Sequence, residues 1–461
     1  MAAECEEFPM ASACTSLPPF ERRIAAVGDT REMSLNGLLA ERRHRGVLQV
    51  AMDCAAAGWA ALHGLSLLCA VAGLAVIQTA AAESTWPTKT WPTTSPADVG
   101  LDAKILGALD ADIAAGKYGY VDSMLVIRDG KIAFERTYKH DYDRIYGREA
   151  HATGPLNAHD FSGPYNYFNP WWHPFYRRGD LHTMQSVTKS VTSLIIGIAI
   201  GRGDFPSLDT PVLSFFNASE VANLDDRKSH MTIRHLLTMT SGLDWNEDLP
   251  YADPKNSAVL MEAAFDWVKW TIDRPMAQEP GSVFQYNSGA TQLLSHIFLA
   301  ATGMDIEEYA HAHLFGPLGI ERYYWKRSPT GLADTEGGLY LAAHDLAKIG
   351  YLVLKNGVWN GKAIVPSDWI RASTTPSIKA SGTDVLYGYS WWLIPYANKD
   401  SHLASCGIGF GGQYPIVMRE LDLVLVFTGW NILPEQPSLS ERDAIDRVLD
   451  AVRDRQLRRP N

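Results

Sequence analysis

The chain has 461 residues, of which 46% are hydrophobic, and its 41 basic against 52 acidic residues leave a formal charge of −11. That is the composition of a globular protein with ample material for a core. No basic block stands out in the body of the chain, which argues against nucleic-acid binding, since that needs a positive patch.

Taken in chain order, the first feature is an apolar run from Ala55 to Ile77 that carries no acidic or basic residue except His63. Arg42, Arg43 and Arg45 precede it, and Thr79-Ala80-Ala81-Ala82-Glu83 follows with small residues where a signal cleavage site wants them. Positive, apolar and small-residue regions in that order describe a secretory signal, hence a secreted or periplasmic protein. The run is also long enough to span a bilayer, so a membrane anchor is the alternative, and a buried helix is a third. Met52 is a candidate true start. We therefore read 1–82 as a leader and 83–461 as the folded body. Of the five cysteines only Cys406 lies in that body, so the fold must stand on packing rather than on an internal disulfide.

In the body, Thr85 to Pro96 reads as an extended lead-in and Asp102 to about Ala115 as a helix. Ser123 to Glu135 reads as two strands joined at Asp129-Gly130, a strong hairpin signal. A long loop from Arg148 to Asp180 carries Tyr165, Tyr167, Phe168, Trp171, Trp172 and His173. It is too aromatic to be disordered and either folds onto the core or forms a substrate-facing wall. Trp172 is its candidate substrate contact. Helices are predicted over 186–200, 232–240, 257–272, 290–302, 305–315 and 344–356. Strands follow at Gly388–Leu393, Gln413–Met418 and Asp422–Thr428, and a last helix covers Ser440 to Arg455. Strands at both ends with helices between predict an α/β (α+β) fold, an antiparallel sheet flanked by helices with an inserted all-helical region.

The chemistry points to Ser186-Val-Thr-Lys189. From Ser186 to Ile200 the sequence is SVTKSVTSLIIGIAI, in which Lys189 is the only charge. A helix this apolar on every side is buried, and a buried ammonium is costly without a reason. Residues three apart on a helix share a face, so Ser186 and Lys189 lie within side-chain reach. Burial disfavours the charged form of lysine, and a neutral amine can accept the serine proton. Ser186 would also start the helix, where free N–H groups can stabilise a reacting oxyanion. The bland alternative is a structural lysine that snorkels to the surface.

This pair resembles the nucleophile motif of the S-x-x-K serine β-lactamase and penicillin-binding protein superfamily. The resemblance extends over about Ser123 to Asp446. It is greatest to the branch holding class C β-lactamases, β-lactamase-like esterases and 6-aminohexanoate-dimer hydrolase. It implies that Tyr286, in Tyr286-Asn287-Ser288, relays protons with Lys189, and that Ser288 faces substrate. It implies that Gly407-Ile408-Gly409-Phe410 replaces the usual Lys-Thr-Gly strand motif. Gly409 would then let substrate approach, and the Phe410 N–H would complete an oxyanion hole with that of Ser186. The lysine of that motif is missing, which weakens recognition of a β-lactam carboxylate. Trp391 or Trp392 of Tyr387-Gly-Tyr-Ser-Trp-Trp would face the cleft, Trp392 being the candidate substrate contact.

The expected activity is a serine hydrolase forming an acyl-enzyme on Ser186 and cleaving small esters, linear amides or peptide-like substrates. A β-lactamase or D,D-peptidase and a non-catalytic penicillin-binding-like sensor are the alternatives. No metal or organic cofactor is implied. His311-Ala-His313 points its two imidazoles apart, His344-Asp345 lacks a matching serine motif, and Cys406 reads as a packed strand residue. There is no P-loop, no G-x-S-x-G elbow and no dinucleotide fingerprint.

Overall fold

Alternating and continuous runs of Val, Leu and Ile build the sheet on which everything else is mounted. The computed structural model describes residues 86–158, 162–397 and 399–453. The expected leader, 1–82, lies outside the described residues. Strands β1 (Val121–Arg128) and β2 (Lys131–Thr137) form the expected hairpin, with Asp129 at φ 52° and Gly130 at φ 72°. Positive φ at both central residues is what a tight hairpin turn demands. The remaining strands come from the far end of the chain: β3 (Ile378–Lys379), β4 (Leu386–Tyr387), β5 (Trp392–Tyr396), β6 (Lys399–Cys406), β7 (Tyr414–Met418) and β8 (Leu423–Gly429). They complete an eight-stranded antiparallel sheet of order β2-β1-β8-β7-β6-β5-β4-β3. The two chain ends join where β1 pairs β8, Met124 opposite Phe427. All eight residues of β1 are buried, as a central strand requires.

The sheet is covered on both faces. On one, Met124, Val126, Ile416 and Leu425 pack against Leu106, Leu109 and Ile113 of α1 (Ala103–Ala114) and against Ile445 and Val448 of α5 (Glu441–Leu449). On the other, Leu125, Ile127, Val417 and Val424 face α2 (Val187–Arg202), α4 (Ala343–Leu354) and the helical region that includes α3 (Ser288–Thr302). The approach of α4 is close: a Cβ on Gly350 would lie 2.8 Å from Val424. Thirteen of the sixteen residues of α2 are buried, so its apolar girth has the expected cause. The fold is therefore the predicted antiparallel sheet with helices on both faces and a helical insert.

Three elements depart from the sequence reading for local reasons. The helix expected over 257–272 is two, Ser257–Glu262 and Trp267–Ile272, because Asp266 caps the second by accepting from the Lys269 N–H. The helix expected over 232–240 stops at Leu237, since Met239 turns to φ 56°. The strand expected at Gly388–Leu393 starts only at Trp392, after Ser390 at φ 59°, and its partner β6 was hidden by the polar start Lys399-Asp400-Ser401-His402.

Candidate active site

A short ribbon sets the nucleophile. His182–Thr183 pairs with Leu339–Leu341, and the Met184 N–H donates to the Leu339 carbonyl at 2.8 Å. The chain then turns through Gln185, whose φ of 48° is a left-handed value unusual for a glutamine. Its side-chain amide donates to Thr183 Oγ1 at 2.8 Å and holds the turn. Ser186 follows as the N-cap residue of α2. One turn on, Lys189 Nζ donates to Ser186 Oγ at 2.9 Å, to the Glu336 carbonyl at 2.6 Å and to Glu336 Oε2 at 3.2 Å.

Burial alone argued for a neutral amine, but the structure sets a carboxylate against it. The Lys189 side chain is 1% exposed and that of Glu336 8%. Glu336 sits in a turn whose Asp334 Oδ1 accepts the Glu336 and Gly337 N–H groups at 3.2 and 2.9 Å. Burial raises the Glu336 carboxyl, but Lys189, a hydrogen bond with Glu262, and Lys326 together bring it below the usual value. Glu262 lines the same pocket as Glu336 and accepts from the Tyr167 hydroxyl at 2.5 Å. Burial first and then Glu336 push the Glu262 carboxyl well up, so it holds its proton. Asp334 is likewise pushed up to about 6 by burial and by Glu336. Lys326 is fully buried 3.7 Å from Asp334, over the rings of Tyr165 and Tyr167.

Tyr286 comes from the other side, immediately before Asn287, which caps α3 by accepting the Ala290 N–H at 2.8 Å. Its phenol faces Ser186, and its ring lies 5.3 Å from Lys189 Nζ. Burial, then the Glu247 carboxylate, push the phenol well above its ordinary value, so the resting group is a neutral O–H donor. Trp392 stacks on Tyr286 at 5.5 Å, while Trp391 is fully buried in the core. Ser288 is 1% exposed and turned inward, its N–H and Oγ donating to Glu247 at 2.8 and 2.6 Å. The structure thus gives Ser288 a bracing place rather than a substrate-facing one.

The glycine turn reaches the nucleophile from the sheet. A Cβ on Gly409 would lie 2.4 Å from the Met184 carbonyl, so glycine here lets two protein segments close up. Phe410 and Ser186 line the same pocket, and neither amide donates a hydrogen bond among the described residues. That pocket is walled by Leu156, Tyr167, Tyr251, Ala258, Val259 and Phe410, with Gln185, Glu262 and Glu336 beside Ser186. The room open to the centre of a water is about 20 Å³, enough for one water or one small group. In the aromatic loop Tyr165 and Tyr167 pack inside, and Tyr167 and Leu156 line the pocket. Trp172, by contrast, packs at a tilt against Tyr176 and Tyr324 and lies outside that wall. His402 and Cys406 share the face of β6 toward α1 and α5, away from Ser186: His402 stacks on Tyr396, and burial raises the Cys406 thiol well above its ordinary range.

Sequence reasoning missed Glu336, Glu262 and Glu247. One faint signal existed for Glu336, a lone acid between Thr335 and Gly337-Gly338 just before the apolar Leu339-Tyr340-Leu341. Nothing in the sequence says which acid faces a given buried lysine.

With this geometry in place, comparisons with known proteins are informative. The beta-lactamase family profile matches residues 120–448. The 6-aminohexanoate-dimer hydrolase of Paenarthrobacter ureafaciens is 26% identical over 277 residues, 55% of this chain and 68% of that protein. Esterase EstB of Burkholderia gladioli is 29% identical over 152 residues, 31% of this chain and only 38% of that esterase. Among solved structures, EstCE1, described as a hydrolase with promiscuous acyltransferase activity, superposes with a TM-score of 0.58 at 15% identity, over 78% of this chain and all of that one.

Proposed function

The chain belongs to the beta-lactamase family, and from that premise we propose that it is a serine hydrolase which acylates Ser186 and cleaves small esters or linear amides. The observation that carries the reading is Ser186 Oγ, 2.9 Å from Lys189 Nζ, at the wall of a pocket. Ser186 attacks the carbonyl and Lys189 takes its proton. The Ser186 and Phe410 amides hold the oxyanion, which is the largest single term in most acyl transfers. The neutral Tyr286 phenol protonates the leaving group, and water then releases the acyl chain.

Ester or linear-amide chemistry is preferred over β-lactam hydrolysis for two reasons. Gly407 and Ile408 stand where a lysine and threonine would precede Gly409, so no cation is supplied there for a carboxylate. The room beside Ser186 is also small, which suits a short acyl group. The esterase and dimer-hydrolase names of the relatives agree with this choice. The test is hydrolysis of nitrophenyl acetate and labelling by a fluorophosphonate, with Ser186→Ala as control. Turnover and a serine adduct lost in the variant are expected. Absence of both from intact protein refutes the proposal, and rapid nitrocefin turnover would hand the site to β-lactams instead.

A further inference from the structure

The three N–H bonds of the Lys189 ammonium are all used, by Ser186 Oγ at 2.9 Å, the Glu336 carbonyl at 2.6 Å and Glu336 Oε2 at 3.2 Å. An ammonium so placed donates to Ser186 and has no lone pair with which to take the serine proton. One of its protons must leave first. Of the three acceptors, a hydroxyl and a backbone carbonyl bind protons too weakly, and only the carboxylate can hold one. The Lys189 side chain is only 1% exposed, so an exchange within the pair is the short route.

We propose that Glu336 is the positioning residue that receives this proton, with Glu262 beside it in the same pocket. The inference rests on the Ser186 hydrolase reading. In the step, the Nζ–H bond breaks, its electron pair stays on nitrogen, and an O–H bond forms at Glu336 Oε2. The free amine turns to Ser186 and accepts the Oγ proton as Oγ attacks the carbonyl. After acylation the ammonium is restored and Glu336 still carries its proton, which returns through Lys189 when the leaving group is protonated. An ion pair and a neutral pair carry the same number of protons, so the exchange needs none from solvent, and a dry site narrows the energy gap between them.

The surroundings suit this exchange. Glu262, on the helix Ser257–Glu262, receives the Tyr167 hydroxyl and lines the same pocket as Glu336. Two carboxyls that close in a buried pocket disfavour one another's ionisation, which raises Glu262. Lys326, Asp334 and Tyr165 also face the pair, as do Tyr286, Glu247, Tyr251 and Tyr387. Lys326 and Asp334 offset one another, which leaves Glu336 as the ionised partner of Lys189.

The test is the pH profile of fluorophosphonate labelling and of nitrophenyl acetate kcat/KM in wild type, Glu336→Gln and Glu262→Gln. If Glu336 receives the proton, wild type stays active until Glu336 itself is protonated, so its low-pH limb falls in the acidic range of a carboxyl. Glu336→Gln keeps two acceptors for Lys189 but no proton acceptor. Lys189 must then lose its proton to solvent, and the limb moves up by about one unit or more. If Glu336 is only a counter-ion, the same variant moves the limb down, because the ammonium loses its stabiliser. A downward shift, or none, overturns the proposal. A glutamine amide mimics a protonated acid, so Glu262→Gln holds the midpoint within about half a unit whatever it does to the rate, whereas a larger downward shift shows that Glu262 is ionised. Should Glu336→Gln fail to fold, the wild-type limb decides, and a midpoint above neutrality refutes the exchange. Wild type that neither labels nor turns over at any pH takes down the hydrolase reading and this inference together, while normal labelling with the wrong shift takes down only the inference.

Discussion

Replacing Lys189 with methionine separates what the lysine does for the fold from what it does for the chemistry. Methionine keeps the length and apolar stem but leaves the Glu336 carboxylate buried without its cation. At the observed 3.2 Å the pair attracts by about 5 kcal/mol at an effective dielectric of about 20. Removing one partner of a buried pair destabilises by about 3–5 kcal/mol, so Lys189→Met should lose about that much in urea unfolding at neutral pH. Adding Glu336→Gln removes the stranded charge, and the double variant should regain at least half of the loss. Labelling by a fluorophosphonate should behave differently, falling about 10²–10⁴-fold in the single variant and staying down in the double one. The reasoning is refuted if Lys189→Met is as stable as wild type, if Glu336→Gln deepens the loss, or if the double variant recovers labelling.

Three further outcomes follow from other parts of the molecule. Gly409→Ala places a Cβ 2.4 Å from the Met184 carbonyl, a backbone atom that cannot swing away, and so displaces the Phe410 amide. Ester kcat should fall about 10²–10³-fold, as for a lost oxyanion donor, and a fall under about tenfold in a folded variant would remove Phe410 from that role. Gly197→Ala gains about 1 kcal/mol of helix propensity. Its Cβ, however, meets the buried Trp369 ring at 2.3 Å, and overpacking of about 1–3 kcal/mol should win, whereas equal or greater stability in thermal unfolding would show that Trp369 yields. The two carboxyls should also give opposite pH dependences of stability. Glu336 is held below 4.5, so its contribution is present above that value and is lost as pH falls through its lowered one. Glu262 is raised, so its contribution is full below 4.5 and is lost as pH rises toward its raised value. Relative to wild type, Glu336→Gln should flatten the acid side of a plot of Tm against pH, and Glu262→Gln should flatten the side above pH 4.5. The same trend in both variants would contradict the assignment.

Much of the fold was legible because its signals are local. The Asp129-Gly130 turn, the apolar β8 and the all-round apolar α2 each carry their own pattern, and the order of strands and helices then implies a sheet with a helical insert. Where a polar segment joined a sheet, as at Lys399–Cys406, or a left-handed residue cut an element short, as at Met239 and Ser390, the pattern gave no notice, because pairing and backbone strain are settled by distant neighbours.

The same division runs through the site. The sequence by itself determined the Ser186–Lys189 pair, since i and i+3 on a helix must meet, and it pointed to a buried lysine, since Lys189 is the only charge from Ser186 to Ile200. Only the tertiary structure decided what the lysine meets there. Glu336, 147 residues away, reaches it through a turn fixed by Asp334, and Glu262 and Tyr167 arrive from two further segments. It likewise turned Ser288 inward, gave Gly409 a packing duty against Met184 and left Trp172 in another aromatic cluster. Periodicity reports which face of an element is buried. The charge that a buried group will face depends on which remote segments the packed core brings together.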